Sequence, residues 1–182
     1  MKDLSLHVLD LLANSTVVDS TLIRLNVKDS LKENVYFFQI TDNGRGMSEE
    51  LLAKVADPYT TTRKTRKVGL GLPLVKMNAE HCNGGFKIES KLGKGTNLMF
   101  WFEHNNIDRP PLGDIADAVV TTAAMNENIR FIYTHTTDKG QYVFDTEEVR
   151  QALDGMSINN VEIIQALKEM INSNLKDIEA NE

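Results

Sequence analysis

The sequence lacks the marks of a secreted or membrane-spanning protein. Its 182 residues include a single cysteine, Cys82, so no disulfide can form within the chain, which fits a reducing compartment. No apolar run approaches the ~20 residues that a transmembrane helix needs, and the first residues show no signal-peptide pattern. We therefore expect a cytoplasmic protein that makes no membrane contact.

Acidic residues outnumber basic ones, 26 to 20. The net charge of −6 argues against broad binding to nucleic acid or to acidic lipid. The exception is residues 63–67 (Arg-Lys-Thr-Arg-Lys), which place four cations in five positions. In an acidic chain this cluster is a candidate for binding phosphate, and a solvated loop is the alternative. With 41% hydrophobic residues, the chain is able to form one sizeable core, or a core with a small appendage.

Hydrophobic periodicity predicts alternating helices and strands over the first hundred residues. Apolar side chains at every third or fourth position predict helices, and period-two alternation predicts strands. The predicted helices cover residues 4–13, a short stretch from Ser48 and residues 69–81; the predicted strands cover residues 21–27, 35–41, 86–90 and 97–102. Polar residues 28–34 are expected to connect the first two strands. Residues 59–68 are polar, basic and without periodicity, and their length suits a functional lid.

Two adjacent prolines, Pro110 and Pro111, predict a boundary that divides the chain into a first domain over 1–107 and an extension over 112–182. The extension is predicted to contain a helix, two strands and two further helices; these are residues 115–125, 129–133 and 142–144, then two helices with capping boxes at Asp145 and Asn159. About 70 residues form a marginal core alone. We therefore expect the extension to pack on the first domain or on a second subunit.

Four short motifs carry the candidate chemistry. Residues 42–47 (Asp-Asn-Gly-Arg-Gly-Met) follow a predicted strand and, taken alone, are typical of a tight turn. Residues 10–14 (Asp-Leu-Leu-Ala-Asn) end the first helix, and residues 69–72 (Gly-Leu-Gly-Leu) and 93–96 (Gly-Lys-Gly-Thr) follow later. A Walker-type phosphate loop is absent from the sequence, and residues 69–74 lack the third glycine of a Rossmann loop.

In chain order the motifs at 10–14, 42–47, 69–72 and 93–96 resemble the N, G1, G2 and G3 boxes of the histidine-kinase-like ATPase family. This family includes gyrase B, MutL, the heat-shock chaperone ATPases and the sensor histidine kinases. The resemblance covers about residues 4–104. Residues 59–62 (Tyr-Thr-Thr-Thr), ahead of the third motif, are most similar to sensor histidine kinases. The resemblance implies an α+β fold, a two-layer sandwich of a mixed β-sheet backed by helices (the Bergerat-type ATP-binding fold), with a small α/β C-terminal extension.

The resemblance assigns the adenine-binding residues. Asp42 would accept a hydrogen bond from the exocyclic amino group, because a carboxylate is an acceptor only. Gly44 and Gly46 would let the backbone approach the base. Met47 would cover the ring, with a plain core position as its alternative, and Thr96 would back the pocket beneath the adenine.

It also assigns the phosphate and metal residues. Asn14 would hold Mg²⁺ through its amide oxygen, with a helix C-terminal cap as the alternative. The amides around Gly69, Leu70 and Gly71, just before a helix, would take phosphate charge. In the predicted lid, Arg63 and Lys67 are the cations expected on the β- and γ-phosphates.

Asp10 is the candidate catalytic residue. It lies one helical turn before Asn14, so both side chains share a face. In the gyrase-like branch a glutamate at this position activates the attacking water, and here the carboxylate is one methylene shorter. The alternative roles for Asp10 are Mg²⁺ ordering and capping. His7 lies on the same face and is expected to be a structural histidine.

The function implied is a Mg²⁺-ATP-binding protein that transfers the γ-phosphate to a partner protein or hydrolyses ATP slowly. None of the four histidines stands in the context of the family's phosphoacceptor histidine. The phosphoacceptor is therefore expected in trans, on a partner protein, and a homodimer stays among the candidates. The alternative is a non-enzymatic, ATP-dependent regulator that binds a partner through its lid or its extension.

Overall fold

The computed structural model describes residues 3–55 and 71–180 of the chain. Six helices and six strands lie in these ranges. In chain order they are α1 (Leu4–Thr16), β1 (Leu22–Ser30), β2 (Val35–Asp42), α2 (Glu49–Val55), α3 (Gly71–His81), β3 (Gly85–Lys91), β4 (Gly95–Glu103), α4 (Ile115–Met125), β5 (Arg130–Thr137), β6 (Gln141–Asp145), α5 (Thr146–Leu153) and α6 (Val161–Asp177).

The strands form one mixed sheet in the order β3-β4-β2-β1-β5-β6. β1 pairs antiparallel with β2 and parallel with β5, while the remaining neighbours pair antiparallel. The predicted α+β architecture, a mixed sheet backed by helices, is confirmed.

One face of the sheet carries the core. Along β2, Tyr36, Phe38 and Ile40 are buried, whereas the alternate residues point to the other face. Helices α3, α1, α4 and α6 cover the buried face in a row, because α1 packs against both α3 and α4, and α4 packs against α6.

The chain after Pro110 is built into the same sheet. β5 lies against β1 over its full length, and Phe131 and Tyr133 of β5 belong to the common core. The carbonyl oxygens of Pro111 and Leu112 accept hydrogen bonds from the first backbone amides of α1. The expectation that the extension packs on the first part of the chain is confirmed, and its division into two domains stays a prediction.

The end of β1 differs from the prediction. Residues 28–30 continue the strand instead of beginning a connector. Asp29 and Ser30 are buried there because each has a polar partner far along the chain. Asp29 Oδ1 lies 2.7 Å from His104 Nε2, and Ser30 Oγ donates to Asp138 Oδ1 at 2.7 Å.

The start of α6 also differs from the prediction. α6 is capped by Asn160, whose Oδ1 accepts from the amides of Glu162 and Ile163, so the predicted cap at Asn159 is wrong by one residue. The amide of Asn159 instead donates to Glu127 Oε1. The predicted cap at Asp145 is confirmed. Within the parts of the chain that the structure describes, no helix is long and apolar enough to cross a bilayer.

Candidate functional site

Asp42 stands at the end of β2 with its carboxylate already oriented. The residue is only 6% exposed. Its Oδ2 accepts a hydrogen bond from Ser15 Oγ at 2.9 Å, and its Oδ1 accepts one from the Gly44 amide at 3.0 Å. Each carboxylate oxygen has two acceptor positions, so each keeps one for a ligand.

The glycines around Asp42 are needed where two loops pack on each other. Gly46 has a φ of +65°, and a Cβ there would lie 2.1 Å from the Lys91 carbonyl oxygen. Gly95, with a φ of +96°, would place a Cβ 2.0 Å from the Asp42 carbonyl oxygen. The amide of Gly93 also donates to the Arg45 carbonyl oxygen at 2.7 Å. The loop after β2 and the turn between β3 and β4 therefore form one unit.

Ser90 ties this unit to two predicted site residues. Its Oγ accepts from the Met47 amide and donates to the Gly95 carbonyl oxygen, both at 2.9 Å. Thr96 Oγ1 lies 2.9 Å from the same hydroxyl, and Thr96 is the residue opposite Asp42 in the β2–β4 pairing. The structure thus joins Met47 and Thr96 through Ser90, and Thr96 lies beside Asp42 in the sheet.

Helix α1 carries Asp10 and Asn14 past this unit. The helix continues to Thr16 and ends on Val17, so Asn14 lies inside it and the alternative of a helix C-terminal cap is wrong. Both Asp10 and Asn14 are half-buried. Among the hydrogen bonds of the described residues, none involves either side chain, which leaves both sets of oxygens available to a ligand.

The carboxylate of Asp10 lies against the first residue of α3. A Cβ added at Gly71 would fall 2.0 Å from Asp10 Oδ2, so the carboxylate closely approaches the start of that helix. The first amides of an α-helix have no partner within the helix and attract anions. Asp10 and the candidate phosphate position are therefore neighbours.

His7 does not join this group. It is 1% exposed, and its Nε2 lies 3.2 Å from Asn78 Nδ2. Burial lowers the pKa of His7 below its ordinary value. A buried imidazole on α1 that contacts Asn78 of the neighbouring helix α3 agrees with the structural role expected for it.

Four predicted positions cannot be placed. Arg63, Lys67, Gly69 and Leu70 lie outside the described residues, as does the predicted lid over 59–68. In turn, the structure adds two residues that sequence reasoning missed, Ser15 and Ser90. Sequence reasoning passes over Ser15 because a serine directly after Asn14 is typical of a helix stop.

Comparison with known proteins identifies the family of the chain. The model of the histidine kinase-, DNA gyrase B-, and HSP90-like ATPase family matches residues 2–106. The chain belongs to this family. A solved structure described as the N-terminal domain of a DNA repair protein shares the fold, with a TM-score of 0.51 and 18% identity, over 79% of this chain and 52% of that one.

Curated relatives include sensor proteins. A putative sensor protein of Shewanella frigidimarina is 32% identical over 97 residues, which is 52% of this chain and 15% of the relative. The sensor histidine kinase ZraS of Escherichia coli is 34% identical over 74 residues, or 41% of this chain and 16% of the kinase. Sporulation kinase C of Bacillus subtilis is 39% identical over 57 residues, or 31% of this chain and 13% of the kinase. The chain therefore spans less than a fifth of each of these relatives.

The family and these relatives support an ATP-binding domain of the histidine-kinase type. The residues that meet at the edge of the sheet are the part of this ATPase-family domain where we propose that a nucleotide binds.

Proposed function

We propose that this ATPase-family domain binds Mg²⁺-ATP and transfers the γ-phosphate to a partner protein, or hydrolyses ATP slowly. One observation carries the proposal: a single helix, α1, contacts both the loop of Asp42 and the start of α3. Ser15 of α1 bonds to Asp42, and Asp10 of α1 lies against Gly71. Asn14 stands between these two contacts.

The adenine end is argued from Asp42. Its buried carboxylate has one acceptor position left on each oxygen after the contacts of Ser15 and Gly44. The 6-amino group of adenine is a donor that matches such an acceptor. Guanine presents a carbonyl oxygen at the same place, which a carboxylate repels. This chemistry supports a preference for ATP over GTP.

The residues present also fit a magnesium ion. Mg²⁺ prefers oxygen ligands, keeps several waters and is commonly held by few protein groups together with substrate phosphates. The amide of Asn14 offers one such oxygen. No group of three or more His, Cys, Asp or Glu side chains able to hold a metal occurs among residues 3–55 and 71–180, so an all-protein metal cage is not what the described residues build. The bound ion would supply charge neutralisation at the phosphates.

Asp10 is proposed as the general base of the reaction. Residues four apart on a helix have Cβ atoms about 5–6 Å apart, which places the Asp10 carboxylate beside the Asn14 amide. Beside Gly71, at the start of α3, that carboxylate is positioned to orient a water or an acceptor hydroxyl and to take its proton.

The acceptor is proposed to lie on a partner. Two of the relatives named above are described as kinases, and that chemistry comes to this chain only as a proposal. A phosphoacceptor on another protein, or on a second copy of this chain, suits a domain whose described histidines are mostly buried. The alternative, a regulator whose surface changes with bound ATP, needs no base at all.

Substitution of Asp10 separates the two functions. We expect Asp10→Asn to lower phosphate release or transfer about 10²–10⁴-fold, since it removes a positioned base, while ATP affinity changes little. Turnover is measured with γ-labelled ATP and Mg²⁺, and affinity by calorimetry. Asp19→Asn is the matched control, because Asp19 is an exposed carboxylate in the loop after α1, with a φ of +58° that asparagine tolerates. Turnover in Asp10→Asn equal to that of the control contradicts Asp10 as the base. ATP binding without turnover in wild type favours the non-enzymatic regulator.

A further inference from the structure

Two serines of equal burial flank the loop that carries Asp42. Ser15 and Ser20 are each 6% exposed. Ser15 Oγ donates to Asp42 Oδ2 at 2.9 Å. Ser20 Oγ makes no hydrogen bond within the described part of the chain, although a Cβ at Gly44 would lie only 2.8 Å from it. The two hydroxyls border the same loop, and only one of them touches the carboxylate.

We propose that Ser15 is a positioning residue. By fixing the plane of the Asp42 carboxylate, it determines which nucleobase the site prefers. The inference rests on the proposed function, in which Asp42 accepts from the 6-amino group of adenine. Nothing in the sequence pattern points to it, because serine is expected after Asn14 only as a helix-stop residue.

The physical reason is that an aspartate carboxylate rotates easily. The torsion about its last carbon–carbon bond is broad and roughly two-fold, so one donor leaves the group free to swing. Gly44 supplies a donor to Oδ1 from the loop, and Ser15 supplies a donor to Oδ2 from α1. With one donor on each oxygen, the plane of the carboxylate is set and the remaining acceptor positions point in defined directions. A hydrogen bond to a charged acceptor is about twice as strong as one between neutral groups. The bond from Ser15 is therefore strong enough to hold the carboxylate in one orientation.

The position of Ser15 also connects the two ends of the nucleotide site. Ser15 directly follows Asn14 on α1. One rigid helix therefore carries both Ser15, which orients the Asp42 carboxylate, and Asn14, the proposed Mg²⁺ ligand. A ligand that pulls the carboxylate out of plane strains the end of α1 next to the metal ligand. Recognition of the nucleobase is then coupled to the correct placement of the phosphates.

The test compares ATP with purine ribonucleoside triphosphate, which has the same ring and phosphates but lacks the 6-amino group. Both affinities are measured by competition against a fluorescent ATP analogue, at a temperature where thermal unfolding shows every variant to be folded. For wild type we expect a clear preference for ATP. For Ser15→Ala we expect that preference to fall about tenfold, through weaker ATP binding with little change for the purine analogue.

Ser20→Ala is the matched control. It deletes the same atom, at the same burial, beside the same loop, and should keep the wild-type preference. Should Ser15→Ala fail to fold, Ser15→Cys preserves the volume and offers only a weak donor, so a partial loss of preference is expected. A fall in preference in the Ser15 variants alone supports the inference.

Two results overturn the inference, and they are distinguishable. If wild type prefers ATP and the Ser15 and Ser20 variants keep the same preference, the positioning role of Ser15 is wrong and the proposed function stands. If Ser15→Ala weakens ATP and the purine analogue by the same factor, the serine has a general structural role and no part in base selection. A wild-type protein that binds both nucleotides equally contradicts the proposed adenine contact of Asp42 itself.

Discussion

Asp42 is the residue from which a nucleotide preference follows most directly. Replacing it by asparagine keeps the size of the side chain but turns one acceptor oxygen into a donor nitrogen. That change removes a partner of Ser15 or Gly44 and faces the adenine amino group with another donor. We expect Asp42→Asn to weaken ATP binding by about 1–3 kcal/mol and to erase the preference over GTP.

Calorimetry with both nucleotides measures this effect. Arg45→Ala is a suitable control, since Arg45 is exposed on the same loop and contributes to the loop packing through its backbone. An asparagine variant with unchanged ATP affinity would count against Asp42 as the base contact.

His135 gives the protein a predictable sensitivity to acid. It is fully buried, its Nδ1 lies 2.6 Å from the Tyr133 hydroxyl, and burial lowers the pKa of His135 to about 4, opposed by the nearby charge of Asp29. In the unfolded chain a histidine titrates near ~6.5. Between these values the unfolded state binds more protons, so the free energy of unfolding falls as pH drops from about 6.5 towards 4.

The full contribution of His135 to that fall is roughly 3 kcal/mol, at about 1.4 kcal/mol for each pKa unit. We expect His135→Gln, which keeps an acceptor for Tyr133, to flatten the pH dependence of stability in this window. Urea unfolding at several pH values measures it. The control is His81→Gln, which removes an imidazole that is 73% exposed. Equal slopes in wild type and His135→Gln would contradict the prediction.

At the scale of elements, the pairing of β5 with β1 decides whether the first 107 residues are able to fold alone. Without the later segment, β1 loses a full-length neighbour and α1 loses the carbonyl oxygens that bind its first amides. The core also loses aromatic side chains of β5. We expect a fragment of residues 1–107 to show no cooperative thermal transition.

A single substitution tests the same dependence in the full chain. Phe131→Ala should lower the free energy of unfolding by about 3–5 kcal/mol, because it empties a fully enclosed position in the shared core. The comparison is Val143→Ala on β6, where the side chain is 49% exposed. A fragment 1–107 with a sharp transition would show instead that the predicted domain boundary is also a folding boundary.

At the scale of the whole molecule, the burial of the histidines determines which of them could accept a phosphate. His7, His104 and His135 are 1%, 6% and 0% exposed, and only His81 reaches the surface, within 3.8 Å of Asp108. We expect no acid-labile, base-stable label on the purified protein after incubation with γ-labelled ATP. Label should appear as free phosphate or on an added partner. If histidine label does appear, His81→Gln tells whether that surface residue is the acceptor.

Much of this architecture is predictable from local pattern, because strand alternation and helical spacing follow from which face is buried. The prediction fails at Asp29 and Ser30, where polar side chains occupy buried strand positions. Their partners, His104 and Asp138, lie far along the chain and leave no local signal. Asp42 and Asn14 are singled out by the resemblance of four ordered motifs to one ATPase family, because a carboxylate after a strand or an amide in a helix is uninformative by itself. The bond from Ser15 to Asp42 needed the three-dimensional packing of α1 on β2.

The central place of β1 has a consequence for the newly made protein. β2 reaches β1 early, since Val35 pairs with Ser30 across a tight turn, whereas β5 starts only at Arg130. While the ribosome makes the intervening chain, the second edge of β1 presents unpaired amides and carbonyls, which readily pair with other chains. Folding that depends on such distant contacts is slow and exposed to aggregation. We therefore expect chains stalled before β5 to aggregate or to bind chaperones, and competence to bind ATP to arise only once the last strands have left the ribosome.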